Sequence, residues 1–273
     1  MPSRQTLASF KCAFLSLAFN LLLAPYLLAA PADELLHVHQ MRLAVQQSLG
    51  DFYMFSSMDA DQRYARMINT SLQQAQAKLD TPSTMPGEDS ATLRARLASE
   101  WQHYQDTLQG LMETMRKQGF TDLQPVASMA DSNRQLMETA QTLYLKIQQE
   151  SGYVVPTLTQ QSRELSLLMQ GIAVDYASRS ASVGASFFGG GEEHALDEQV
   201  RLLATRLDTL TQAKQNTPKI RAELGNIANK FHYIEKSLLN YNQNTVPFLV
   251  SKYSNSIIEE LENVAAQYAA NQL

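Results

Sequence analysis

The chain has 273 residues, 22 basic and 27 acidic side chains, a net charge of −5, and 44% hydrophobic residues. An acidic chain with no basic stripe argues against a protein that coats nucleic-acid phosphates. Its single cysteine, Cys12, leaves no pair for a disulfide, so stability must come from packing.

The first segment reads as a secretory signal. Arg4 and Lys11 form a positive start, and Cys12 to Ala30 is apolar except for Ser16 and Asn20. Ala30-Pro31-Ala32 then supplies small residues at a signal-peptidase spacing. The alternative is an uncleaved membrane anchor, which Asn20 and Pro25 weaken. Phe10-Lys11-Cys12 lacks the apolar and small residues of a lipoprotein box. Cleavage after residue 32 removes Arg4 and Lys11 and no acid, leaving 20 basic against 27 acidic side chains, a net charge near −7, and no thiol. The roughly 240 residues that remain are enough for one or two cores.

From residue 34 onward the composition is rich in Leu, Ala, Gln, Glu and Met, all good helix formers. Eight helices are expected, at about 34–57, 60–80, 90–117, 131–150, 157–186, 193–214, 218–242 and 246–270. Leu97, Trp101, Tyr104, Leu108, Leu111 and Met115 alternate by four and three. So do Leu196, Val200, Leu203, Leu207 and Leu210, and the run Ile220, Leu224, Ile227, Phe231, Ile234, Leu238, Tyr241. Ile257, Leu261, Val264 and Tyr268 repeat the spacing near the end. One apolar stripe per helix is the seam of an antiparallel, coiled-coil-like bundle. Thr81-Pro82-Ser83 and Pro86-Gly87, Gly119 to Pro125, Gly152 with Pro156, and Gly189-Gly190-Gly191 interrupt the stripes. Asp131 or Ser132 is the expected cap of the fourth helix, and Thr217 caps the seventh with Pro218 at its first position.

The two halves carry similar marks. Arg42 and Gly50 are eight apart, as are Arg163 and Gly171, which lie 121 positions later. Trp101 and Leu108 match Phe231 and Leu238 at a shift of 130, and Ser132-Asn133 has a counterpart in Ser254-Asn255. The expected fold is therefore all-α: two tandem antiparallel four-helix bundle modules after an N-terminal signal peptide, with boundaries 1–32, 33–152 and 153–273.

Gln160-Gln161-Ser162-Arg163-Glu164-Leu165-Ser166-Leu167-Leu168-Met169 resembles the Arg-x-x-Leu-Ser first helix of the periplasmic sensor domain of type IV pilus methyl-accepting chemotaxis transducers. It is similar also to the four-helix modules of nitrate/nitrite sensor kinases. Met41-Arg42-Leu43-Ala44-Val45-Gln46-Gln47-Ser48 is a weaker copy, and Asn244 to Ser254 resembles the start of such a module's last helix. The resemblance implies an extracytoplasmic four-helix sensor unit of a kind that often pairs across a dimer interface; in the nitrate sensors a first-helix Arg contributes to anion binding there. By position that role falls on Arg163 and Arg42. Such receptors continue into a membrane helix and a cytoplasmic region. No further apolar span follows Tyr268, so the expectation is a stand-alone periplasmic module.

Other constellations read more plainly. His37-Val38-His39 points two imidazoles to different sides of a helix, poor geometry for one metal, and suits a near-terminal surface pair. Glu192-Glu193-His194 suits a helix start, and His103 and His232 flank core aromatics. Gly189-Gly190-Gly191 lacks the Lys-Ser/Thr ending of a phosphate loop, and no Gly-x-Ser-x-Gly is present. Met54, Met58, Met112 and Met115 are expected to fill core gaps. No catalytic site is visible, and no metal or cofactor is implied. Arg163, Arg42 and Arg179 are the candidate ligand-binding residues, each either paired with an acid such as Glu164 or Asp175 or open to an anion. The expected partner is a small anionic solute or an envelope or chemosensory protein, with a homodimer as a further expectation. The competing expectation is a structural or assembly factor of the envelope with no small ligand.

Overall fold

A computed structural model describes residues 5–181, 196–241 and 245–273, with side chains from residue 31 onward. It is all-helical: no strand occurs among the described residues. The helices are α1 (Gln5–Ser57), α2 (Gln62–Asp80), α3 (Glu88–Gln118), α4 (Leu123–Ser151), α5 (Thr157–Ala181), α6 (Leu196–Thr211), α7 (Pro218–Leu239) and α8 (Pro247–Ala270). The apolar features of the signal, the Gly189-Gly190-Gly191 run and Glu192-Glu193-His194 lie outside the described side chains.

Chain breakers end the helices where the sequence places them, with two exceptions at helix starts. Gly119 and Gly152 close α3 and α4 in the left-handed conformation, at φ 79° and 68°, and each amide bonds back to the preceding turn. Thr217 caps α7 by accepting from the Ile220 amide at 3.2 Å, with Pro218 in the first turn. One exception is α1, which runs continuously from Gln5 through Pro31 and does not start near residue 34. The other is α4, which starts at Leu123 and not near Asp131. Pro125 falls in its first turn, where a missing N–H is harmless. Asp131, inside the helix, pairs with Arg134 at 2.7 Å, and Ser132 donates to the Ser128 carbonyl, so neither is a cap.

The apolar stripes meet as the spacing requires. Every residue of the Leu97–Met115, Leu196–Leu210 and Ile257–Tyr268 series is buried, as are the members of the Ile220 series as far as Leu238. Buried residues of α1 to α4 form one apolar cluster around Phe52, Trp101 and Leu143; those of α5 to α8 form a second around Phe231 and Leu261. Met54, Met112 and Met115 are buried in the first cluster and Met58 packs against it. Several buried polar groups inside these cores are paired. Trp101 Nε1 donates to Gln76 Oε1 at 2.7 Å, Tyr104 and Ser48 share a 2.9 Å bond, and Tyr268 donates to Asn216.

The clusters meet along α1 and α5, which pack extensively against each other. Val155, Val174 and Ala177 belong to the first cluster, and Leu43 of α1 belongs to the second. The two glycines of the repeated Arg/Gly pairs lie on this seam. A Cβ on Gly50 would stand 3.3 Å from Val174 Cγ2, and one on Gly171 would stand 4.0 Å from Gln46 Nε2. Gly50 therefore permits the close approach of α1 to α5. Gly50→Leu has no volume to occupy there and is expected to lower stability by about 1–3 kcal/mol, the usual range for overpacking, in urea unfolding followed by circular dichroism. An unchanged midpoint would show that the seam can widen freely.

Candidate functional site

Arg42 lies in α1 and Arg163 in α5, and the parallel register of the two helices brings them to a common cavity of about 200 Å3. Its other walls include His39 from α1, Tyr144 from α4, Gln160 and Glu164 from α5, and Arg206 from α6. Arg163 also borders a larger space of about 860 Å3 at the start of α5, formed with Leu36, Tyr153 and Leu158.

Both guanidiniums lack an acceptor at Nε. Arg163 is 7% exposed, and the Nε atoms of Arg42 and Arg163 are buried with no hydrogen-bond partner. Burial depresses Arg42 to about 10, against the raising effect of Tyr144 and Glu164, so it stays charged at neutral pH. A buried cation without a full complement of acceptors is destabilising, by several kcal/mol in unfavourable cases. Glu164, the acid expected to neutralise Arg163, is turned outward. It accepts from Gln160 at 3.0 Å and stands 3.8 Å from Arg206, where both partners are about half-exposed. Tyr144 donates to Gln160 Oε1 at 2.6 Å. Burial pushes its phenol up, while the charge of Arg163 and its hydrogen bond to the phenol oppose the rise.

Behind the guanidiniums lies a buried polar chain that ties three helices together. His39, 1% exposed, bonds from Nε2 to Glu262 Oε1 of α8 at 2.8 Å. The same Glu262 oxygen accepts from Ser166 of α5 at 2.6 Å. Burial lowers the basicity of His39; Glu262 works the other way, and the charges of Arg163 and Arg42 add to the fall. The imidazole is therefore neutral at pH 7 and donates from Nε2. Burial would raise Glu262, but its bonds from His39 and Ser166 and the charge of Arg163 hold it below the usual carboxylate value. Counting Arg42, Arg163 and Arg206 against Glu164 and Glu262, the site carries one net positive charge while His39 is neutral.

Of the three candidate arginines, the fold joins Arg42 and Arg163 and leaves Arg179 elsewhere. Arg179 sits near the far end of α5 with its guanidinium 4.7 Å above the Tyr241 ring, close to Asp175. His39 corrects the surface reading of the His37-Val38-His39 pair: helix α8 covers it, and Glu262 satisfies it. His103 and His232 are exposed, and His232 bonds to Glu235 at 3.0 Å. No group of three or more potential metal ligands occurs among the described residues. Gln160 and Ser166 stand within the Gln160–Met169 segment, so that signal was within reach of sequence reasoning. Glu262, Tyr144 and Arg206 carried none, because each arrives from a helix whose packing partner is set by the tertiary fold.

Comparison with protein-family models, with curated proteins and with solved structures finds no match to this chain.

Proposed function

We propose that the chain is an exported, periplasmic binding protein for a small oxyanion, with its site on the seam between two four-helix modules. The observation that carries the reading is the pair of buried, unsatisfied Nε groups of Arg42 and Arg163 beside one cavity of about 200 Å3. Arginine forks match oxyanions in geometry, and an anion there would supply the acceptors these groups lack. The volume suits an ion of a few heavy atoms.

The resemblance to chemotaxis-transducer and nitrate-sensor modules supports the same reading. In the nitrate sensors that the chain resembles, a first-helix Arg contributes to anion binding at a dimer interface. Here the two first helices, α1 and α5, lie side by side within one chain and carry Arg42 and Arg163. On this reading residues 33–152 and 153–273 are a fused pair, and the internal seam takes the role that a homodimer interface has in those modules. Among the described residues no helix is long and apolar enough to cross a membrane. An envelope or chemosensory protein is the partner this reading proposes for passing on the response.

A direct test is titration calorimetry of the protein with sodium nitrate, sodium sulfate and sodium acetate. Arg163→Ala is expected to weaken the bound anion tenfold or more, since a charge-assisted hydrogen bond contributes about 1.5–3 kcal/mol. Arg179→Ala should bind as the parent does. Equal affinity in the Arg163→Ala variant would remove this cavity from the site.

A second reading, an envelope scaffold or assembly factor, draws on one observation. Phe120 and Leu123, at the α3–α4 connection, are 60% and 50% exposed. Pull-down from periplasmic extract that fails in the Phe120→Ser, Leu123→Ser double variant, together with no anion binding, would favour it.

A further inference from the structure

The arginine cavity and the buried His39–Glu262 pair share a wall, and their charges cannot be independent. His39 lines the cavity, as do Arg42 of α1, Arg163 and Glu164 of α5, Tyr144 of α4 and Arg206 of α6. Glu262 reaches it from α8 at 2.8 Å, with Ser166 on the same carboxylate oxygen. These are the titratable and charged groups that face the imidazole. We propose that His39 makes the site a proton-coupled one: an oxyanion entering beside Arg42 and Arg163 draws a proton onto the imidazole, so that the protein captures anion and proton together. The proposal rests on the oxyanion reading given above.

The physical case is one of charge. With no anion bound, burial is the main obstacle to protonation of His39, and the charges of Arg163 and Arg42 add to it. Only Glu262, already engaged by Ser166, favours the imidazolium. An anion between Arg42 and Arg163 cancels the opposing charge while leaving Glu262 in place. His39 is therefore more basic in the bound than in the empty protein. Linkage then gives the sign: the bound state holds the extra proton, so affinity rises as pH falls through the bound value and levels off below the free value. No bond to the anion forms or breaks; the proton comes from solvent, and it returns there when the anion leaves.

A dianion gains more than a monoanion. With His39 neutral the surroundings carry one net positive charge, which a monoanion balances; the added proton supplies the second charge that a dianion needs. The preference for sulfate over nitrate should consequently increase on acidification.

The experiment uses the full exported chain and two anions that do not titrate in this range, sodium nitrate and sodium sulfate. Calorimetric titrations at about pH 5.5, 6.5 and 7.5 bracket the ordinary histidine range. Affinity is expected to increase at least threefold from the highest pH to the lowest, with a limit of tenfold per pH unit for one proton. At one pH, the heat should differ between MES and Bis-Tris by the proton taken up, a readout that needs no variant. His39→Gln keeps a donor for Glu262 and should bind with little pH dependence and no buffer-dependent heat. A flat profile in the parent protein, or an undiminished slope in His39→Gln, would overturn the proton coupling and leave the oxyanion site standing. No binding of either salt at any of the three values would overturn both.

Discussion

At alkaline pH the Asp51→Asn variant is expected to melt at a higher temperature than the parent protein, and the gap should close as the pH is lowered. Asp51 lies in α1 within the first apolar cluster, 3% exposed, with Oδ2 buried and without a partner. Burial pushes its carboxyl up to about 8. It raises the phenols of Tyr64 and Tyr104 in turn, although burial of those rings is the larger cause. Between roughly pH 4 and 8 the folded protein therefore holds a proton that the unfolded chain has released. The unfolded state binds fewer protons in that window, so stability falls as pH rises, by about 1.4 kcal/mol per pH unit. For a chain of this size that is roughly 3 °C per unit. The asparagine amide matches the carboxyl in shape and has no charge to bury, which removes the slope. Parallel melting curves of parent and variant by circular dichroism, from acid to alkaline pH, decide the matter: coincident profiles would mean that Asp51 ionises in the fold at no penalty.

Trp101→Ala should produce the largest loss of stability of any single truncation. Trp101 is 1% exposed, its ring centroid lies 6.0 Å from that of Tyr104, and its indole N–H is bonded to Gln76. The variant removes the largest side chain of the first cluster and leaves the Gln76 carbonyl without its donor. Aromatic-to-alanine changes in cores lower stability by about 3–5 kcal/mol, which corresponds to a fall of roughly 10 °C here. Because Trp101 is the only tryptophan, the melt must be followed by circular dichroism and not by fluorescence. Val155, Val174 and Ala177 join the first cluster to the second half of the chain, and Leu43 joins the second to the first. Loosening one cluster strips the seam from the other, so one shared transition is expected to shift as a whole. An early partial transition, with half of the helical signal retained, would show that the seam contributes little. His103→Ala, on the exposed face of the same helix, is the control and should leave the midpoint in place.

The helices themselves were legible because their determinants are local. A run such as Ile220, Leu224, Ile227, Phe231, Ile234, Leu238 marks a stripe within one helix, and Thr217-Pro218 or Gly119 marks an end through backbone chemistry alone. The start of α4 was not, because Asp131 and Ser132 have the chemistry of caps. Their bonding needs are met by Arg134 and the Ser128 carbonyl inside a helix that Pro125 had already begun. The candidate arginines were legible as a repeated Arg/Gly spacing, Arg42/Gly50 and Arg163/Gly171. Arg179 satisfied the same loose criterion, an arginine near an apolar seam, and nothing local separated it from the other two.

What the amino-acid order determined by itself is the all-helical state and the core faces of α3, α6, α7 and α8; it offered three arginines as candidates and could not rank them. The helices and their faces follow from a period of 3.6 residues and from the backbone preferences of Gly, Pro and Thr, which act over a few residues. The tertiary structure alone decided that α1 and α5 run side by side in register, that Arg42 and Arg163 share one cavity while Arg179 stacks on Tyr241, and that His39 is a buried partner of Glu262, 223 positions away. Which helix covers a given face depends on how side chains from distant segments interlock and on how closely Gly50 lets two backbones approach. That information resides in the packed core, not in any stretch of sequence short enough to carry a pattern.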